Sequence, residues 1–471
     1  MNPSTLLAAI SRQWDDEIVP LLTEYVRVPA KSPHFDPQWE ANGHIERVIR
    51  LAEAWVKKQP VRGLNAEIVR LPGRTPLLFF DIPASNGSDR TILLYGHLDK
   101  QPEMVGWRAR YGPWDPLYEG GKLYGRGSAD DGYAVFAALA AIGALQAQGV
   151  AHSRCVGMIE TCEESGSPDL PAYLETLAPR MGQVDFVVGL DSGCGDYERL
   201  WATTSLRGLT GGKLTVEVLT EGVHSGDASG VVPSSFRIAR ELLDRIEDSA
   251  NGRMLPKEFY AAIPPERAEQ AKRAADILGD LVIRKYPFAG STQPMVEDRA
   301  QALLNRTWRP ALSIIGADGL PPIANAGNVL RPQTSLELSL RLPPTVDAVV
   351  AARTLKRVLE ADPPANAVVS FELNEAATGW NAQPTAAWLN RAIDEASSRF
   401  YEKPAAAMGE GGTIPFMAML GKHFPEAQFL ITGVLGPHSN AHGPNEFLHV
   451  PYAKKLTACV AQVIAAHGTV A

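Results

Sequence analysis

Apolar and polar positions fall into two distinct patterns along the chain. Three near-continuous apolar runs occupy the first 200 residues: TILLY at 91–95, RCVGMIE at 154–160 and VDFVVGL at 184–190. Helix-like sequence separates them, most clearly AVFAALAAIGALQAQG (134–149), which reads to a stop at Gly149. Buried strands alternating with helices predict an α/β fold with a mostly parallel sheet covered on both faces. Ahead of them Leu6, Leu7, Ile10, Trp14, Ile18 and Leu21 recur at helical spacing, with Ser4 as the expected N-cap.

From about residue 207 the pattern changes. GKLTVEVL (212–219) and TSLELSLRL (334–342) alternate apolar and polar residues, as strands with one solvated face do. SSFRIARELLDRIEDS (234–249) and TVDAVVAARTLKRVLEA (345–361) read as helices, and ALSIIGA (311–317) and AVVSFEL (367–373) as further strands. The resulting order, β-α-β-β-α-β, is that of a ferredoxin-like α+β domain. The Pro-interrupted stretch 254–308 yields no element. After about 380 the first pattern returns, with a helix AAWLNRAIDEASSRF, an apolar run AQFLITGV and a closing helix from Pro451 to about His467. The expected division is an α/β domain in two parts, 1–206 and 379–471, interrupted by an inserted domain at 207–378. Clefts between domains commonly hold small-molecule sites.

Composition narrows the classes. A chain of 471 residues, 45% hydrophobic and 21% charged, can bury a large core unaided. A net charge of −8 and the lack of any Lys/Arg run argue against nucleic acid. No apolar stretch approaches the roughly 20 residues that cross a bilayer, so no membrane is expected. Cys155, Cys162, Cys194 and Cys459 form no CxxC pair. With a start unlike a signal peptide, they predict reduced thiols and a cytoplasmic protein.

Chemistry collects at the strand ends. TILLY runs into Gly96-His97-Leu98-Asp99, RCVGMIE into Cys162-Glu163-Glu164, and VDFVVGL into Asp191. Parallel sheets gather ligands beyond the carboxyl ends of their strands. Carboxylates converging there repel one another unless a cation sits between them. His97 and Asp99, two apart on extended backbone, face the same way, so Asp99 can orient the imidazole. LYGRGSADDG (123–132) ends in paired aspartates, and either Asp130 or Asp131 can bridge two cations. It lacks the spacing and lysine of a phosphate loop. Of Glu163 and Glu164, one can ligate while the other holds a water. GPHSNAHGPNEFL (436–448) offers His438 or His442 as a last ligand. His34, His44, His152, His423, His449 and His467 have no such company.

Six segments then carry a resemblance: GHLDKQP (96–102), LYGRGSADD (123–131), CEESGS (162–167), LDSG (190–193), EGGTIP (410–415) and AHGPNE (441–446). In this order they resemble the co-catalytic metallopeptidase family of carnosinase-type dipeptidases, glutamate carboxypeptidases, aminoacylases and succinyl-diaminopimelate desuccinylases. The resemblance spans nearly the whole chain and is nearest to the cytosolic non-specific dipeptidase branch. It implies two divalent metal ions, zinc first, with manganese or cobalt suiting the same donors. It makes His97 a ligand of one ion and His442 of the other. Asp130 becomes the bridge, preceding an unusual cis peptide, with Glu164 and Asp191 as terminal ligands. Glu163 becomes the general base, with Asp99 behind His97. It makes 207–378 a lid through which a homodimer forms. There His224 reaches the reacting carbonyl, from the neighbouring subunit in dimeric members, Asn328 makes a polar contact, and Arg341 clamps the substrate carboxylate. Thr413, after Gly411-Gly412 and before a short helix, joins the same carboxylate site. Two departures, Lys100 after Asp99 and Gly132-Tyr133 in place of Lys-Gly, are expected to alter the charge of the cleft.

The expected activity is hydrolysis of the amide bond of a dipeptide or short peptide by a water between the metals. The alternatives are an N-acyl-amino-acid amidohydrolase or a carboxypeptidase of the same family. A non-catalytic binding protein on the same scaffold would have lost Glu163 or a ligand, and every one is present.

Overall fold

The computed structural model describes residues 1–85, 87–374 and 376–469. Its three apolar runs are strands Thr91–His97, Arg154–Glu160 and Val184–Gly189, buried along nearly their whole length. They lie in a six-stranded sheet ordered Asn65–Val69, Leu77–Ile82, Arg154–Glu160, Thr91–His97, Val184–Gly189, Gln428–Ile431. The last four strands are parallel and the first two join antiparallel, so this is a mixed α/β fold. The sequence pattern had not marked the two antiparallel strands, although LLFFDI (77–82) is itself a short apolar run.

Ala134–Ala147 is buried on nearly all sides, which explains its lack of a polar stripe. The closing helix Val450–His467 packs on it, on Ala387–Tyr401 and on the first helix, Pro3–Gln13. The first helix is capped by Asn2, whose side chain accepts the Thr5 N–H at 3.0 Å, rather than by Ser4. Pro3 explains the difference: a ring that fixes φ and lacks an N–H suits the first helical position, one residue before Ser4.

The fold separates into two compact units, Met1–Thr204 with Ala382–Met408 and Met419–Ala471, and Ser205–Asn381 with Gly409–Ala418. In the second, a four-stranded antiparallel sheet runs in the order Ala311–Asp318, Gln333–Leu342, Gly208–Glu217, Val368–Leu373. Helices Ser235–Leu243 and Ala348–Glu360 bury Ile238, Leu242 and Leu355 against Leu214, Leu338, Leu340 and Phe371. Each such side chain contributes roughly 1.5–3 kcal/mol. Ser234 and Asp347 cap the two helices. The first ends at Leu243 instead of running to 249. Glu247–Asp248 there turns back on Arg253–Met254 through Asn251-Gly252, with Gly252 at φ +70°. The stretch 254–308 contains helices Pro265–Leu278, Leu281–Arg284 and Arg299–Thr307.

Candidate metal centre

Three parallel strands deliver their carboxyl ends to one place. His97 is the last residue of its strand, Glu163 and Glu164 form a turn just beyond Arg154–Glu160, and Asp191 lies two residues past Val184–Gly189. Asp130 arrives on the loop ahead of Ala134–Ala147, and its bond to Asp131 is cis. His442 comes from the loop before the closing helix, held at φ +64°, in the left-handed region. Backbone in that region is kept only where its surroundings fix it, commonly at functional sites.

These residues form two groups of donors that share one aspartate. His97 Nε2 lies 3.3 Å from Asp130 Oδ1 and 3.7 Å from Asp191 Oδ2. His442 Nε2 lies 3.0 Å from Asp130 Oδ2 and 3.3 Å from Glu164 Oε2. Within each triad the candidate ligand atoms lie within 4.8 Å of one another. Asp130 thus turns one oxygen to each side. Glu163 belongs to neither triad, yet its Oε2 is 3.9 Å from His97 Nε2. His438 lies outside both groups and is exposed.

The electrostatics fit a cation site. Burial, then the charges of Asp130 and its neighbours, pushes Glu164 up to about 8 and Asp191 up to about 7. Burial and Asp191 raise Glu163 well above the carboxylate range. Burial works against the charge of Asp130, but hydrogen bonds from His442 and His97 hold its carboxyl well below that range. Burial opposes a proton on His442, whose contact with Asp130 nevertheless carries it up to about 9. Protons here do the neutralising that divalent ions can do, and imidazole with carboxylate is a donor set for zinc, manganese or cobalt.

A ring of support holds these groups. His97 Nδ1 faces the Asp99 carbonyl at 3.1 Å and Asp99 Oδ1 at 3.5 Å. Asp99 also accepts the backbone N–H groups of Glu163 and Glu164, at 3.1 and 3.0 Å. Gln101 Nε2 donates to Glu164 Oε2 at 2.6 Å. Asp131 belongs to neither triad, its Oδ2 accepting the His97 N–H at 3.4 Å. Gly96 is needed beside it: a Cβ there would stand 2.7 Å from Ala134 Cβ and 2.9 Å from Asp131 Oδ2. Glu446 Oε1 accepts the N–H groups of Gly127, Ala129 and Asp130, while its Oε2 takes Arg126 Nη1 at 2.7 Å. Sequence reasoning gave Gln101, Arg126 and Glu446 no role. All three stand inside the quoted motifs, and the signal was there in Glu446, four residues after His442.

Lys100 corrects an expectation. Its ammonium is turned into the protein interior: it is fully buried, its Nζ donating to the carbonyls of Tyr25 at 2.7 Å and Val28 at 2.8 Å. The second departure belongs to the same packing. A Cβ on Gly132 would meet the Tyr25 ring at 2.2 Å, and the Tyr133 hydroxyl donates to the Leu190 carbonyl.

The remaining predicted residues lie in the second unit and form two pairs. His224 is exposed on a short strand opposite Val329, and the Ser225 N–H bonds the Asn328 carbonyl at 2.9 Å, which brings His224 beside Asn328. Arg341 Nη1 donates to Thr413 Oγ1 at 2.9 Å.

The chain is similar to known proteins over most of its length. A family model described as Peptidase family M20/M25/M40 matches residues 93–466. A cysteinylglycine-S-conjugate dipeptidase of Corynebacterium striatum is 26% identical over 434 residues, 90% of this chain and 91% of the relative. A Beta-Ala-His dipeptidase of Homo sapiens is 26% identical over 370 residues, 76% of this chain and 72% of the relative. Among solved structures, the di-peptidase Dug1p of Saccharomyces cerevisiae superposes with a TM-score of 0.79 at 20% identity. That match covers 99% of this chain and 98% of that one, and at such identity it speaks for the fold.

Proposed function

The chain belongs to peptidase family M20/M25/M40, and from that membership we propose a metal-dependent dipeptidase in which Glu163 is the general base. The observation that carries this reading is the pair of donor triads sharing Asp130, with Glu163 beside them and outside both. His97, Asp130 and Asp191 would hold one divalent ion, and His442, Asp130 and Glu164 the other, with zinc the first choice. When bound, such ions polarise the scissile carbonyl and acidify a nearby water.

The chain's own groups do the rest. Glu163 takes a proton from the attacking water and returns one to the leaving nitrogen, a contribution of roughly 10²–10⁴ in rate. Asp99 keeps the His97 ring oriented and the Glu163–Glu164 turn in place. Arg341 with Thr413 binds the substrate carboxylate, since guanidinium suits that planar anion. His224 and Asn328 contact the substrate near the bond that breaks.

The second unit acts as a ferredoxin-like lid and as the surface of a homodimer. Its edge strand Ala311–Asp318 supports this, because Ile314 is 45% and Ile315 65% exposed. Four buried free cysteines suit the cytoplasm. Among the described residues no helix is long and apolar enough to cross a membrane.

The test is a panel of free dipeptides, N-acyl amino acids and tripeptides, assayed with zinc and with manganese. Cleavage of free dipeptides first is the expected result. Preference for N-acyl amino acids would replace the reading with an amidohydrolase, and no cleavage with metal bound would overturn it.

A further inference from the structure

A buried carboxylate that enters neither donor triad joins three stretches of chain around the candidate base. Glu160 is the last residue of its strand and is 2% exposed. Its Oε1 accepts the Tyr95 hydroxyl at 2.5 Å and the Ser167 hydroxyl at 2.8 Å, and its Oε2 accepts the Cys162 thiol at 3.3 Å. Tyr95 stands two residues before His97 on the neighbouring parallel strand, where the Leu98 N–H also donates to the Glu160 carbonyl at 2.9 Å. Cys162 and Ser167 are the residues immediately before and after the segment 163–166.

That segment is tightly wound. The Cys162 carbonyl accepts the N–H groups of Ser165 and Ser167, at 3.2 and 3.1 Å, and the Glu163 carbonyl accepts that of Gly166 at 2.7 Å. Gly166 and Ser167 sit at φ +87° and +54°. A serine keeps such left-handed backbone only where its surroundings fix it. Burying a carboxyl is costly, and a phenol, an alcohol and a thiol bring no positive charge to offset it. What the three bonds supply is geometry: they fix both ends of the turn to the strand that carries His97. Groups that do chemistry must be held within about 0.5 Å of their productive positions. An error of about 1 Å can cost on the order of 100-fold in rate.

We propose that Glu160 is a positioning residue: by gripping Cys162, Ser167 and Tyr95, it sets where Glu163 and Glu164 stand relative to His97. This rests on the dipeptidase reading, in which Glu163 moves the proton and Glu164 holds one of the two ions. Asp99 acts on the same turn from within, through the N–H groups of Glu163 and Glu164, whereas Glu160 holds its flanks.

The test uses the full chain, the free dipeptide that the wild type cleaves fastest, and zinc as the metal probe. Glu160→Leu keeps most of the bulk and removes both acceptor oxygens. At saturating zinc its kcat is expected to fall about 100-fold while KM stays within about threefold. Glu160→Gln keeps an oxygen for the two hydroxyls, which rotate to suit, and is expected to recover about tenfold of that loss. Ser167→Ala frees only one end of the turn and should lose roughly fivefold in kcat, a second reading should Glu160→Leu not fold. Chelator competition follows the metal without turnover. In Glu160→Leu the affinity for one zinc ion is expected to fall about tenfold and that for the other to stay within a few fold, since Glu164 is the one ligand on this turn. Wild-type kcat and zinc affinities in a folded Glu160→Leu chain, even one with a lower melting temperature, would overturn the assignment. With Glu160→Leu unfolded, wild-type kcat in Ser167→Ala would overturn it. If the wild type cleaves no dipeptide, the dipeptidase reading falls by itself, and the zinc competition still decides for or against Glu160.

Discussion

Asp99 Oδ1 accepts the backbone N–H of Glu163 at 3.1 Å. The residue behind His97 therefore also fixes the backbone that carries the proposed base. One carboxylate touches both sides of the chemistry: its Oδ1 lies 3.5 Å from His97 Nδ1, and its Oδ2 takes the Glu164 N–H. Asp99→Asn replaces one acceptor oxygen by an NH₂ that must face an N–H donor. Losing such an outer contact typically costs about 10–100-fold in metal affinity or activity. We expect at least a 100-fold fall in kcat with a smaller change in KM, because two functions fail together. Activity within a few-fold of wild type would show that Asp99 only packs.

Glu446 should matter to folding before it matters to rate. It is fully buried, paired with Arg126 and bonded to three successive parts of the loop that ends in Asp130. Removing one partner of a buried ion pair commonly costs about 3–5 kcal/mol. Glu446→Ala is expected to lower unfolding stability by that order in denaturant titration of the metal-free chain. A loss below about 1 kcal/mol would show that the loop holds itself.

The metal-free protein should become less stable as pH rises. Glu164 titrates at about 8 and Asp191 at about 7 in the folded chain, against ordinary values of 4.5 and 3.8. Between those limits the folded state keeps protons that the unfolded state has released, so stability falls with rising pH. His442, raised from 6.5 to about 9, has the same sign and extends the fall. The melting temperature of the metal-free chain is therefore expected to drop from about pH 5 to about pH 9. Metal binding needs the deprotonated groups, so the gain on adding zinc should grow over the same range. A flat or rising metal-free profile would contradict this electrostatic picture.

Much of this architecture could be read from the sequence because strand burial leaves a coarse signal. TILLY, RCVGMIE and VDFVVGL needed only their apolar length to become strands with acids at their ends. Choosing Asp130 over Asp131, or His442 over His438, lay beyond spacing. Adjacent side chains on a loop take opposite directions, and only the ordered motifs of the resemblance made the choice. Lys100 departs from expectation for a related reason. Its neighbours in sequence belong to the site, but its ammonium caps carbonyls at the end of the helix Val19–Val26. Likewise the helix expected over 234–249 has helical composition throughout, and the Asn251-Gly252 turn beyond it decides where it stops.

The central claim is that one aspartate is shared between two metal sites. Metal content per chain, measured by plasma mass spectrometry after equilibrium dialysis against zinc, tests it most directly. The wild type should hold two ions. Glu164→Ala and Asp191→Ala should each hold about one, and Asp130→Ala, deprived of a ligand common to both triads, should hold less than either. Two ions retained by a folded Asp130→Ala chain, or one ion in the wild type, would contradict the account.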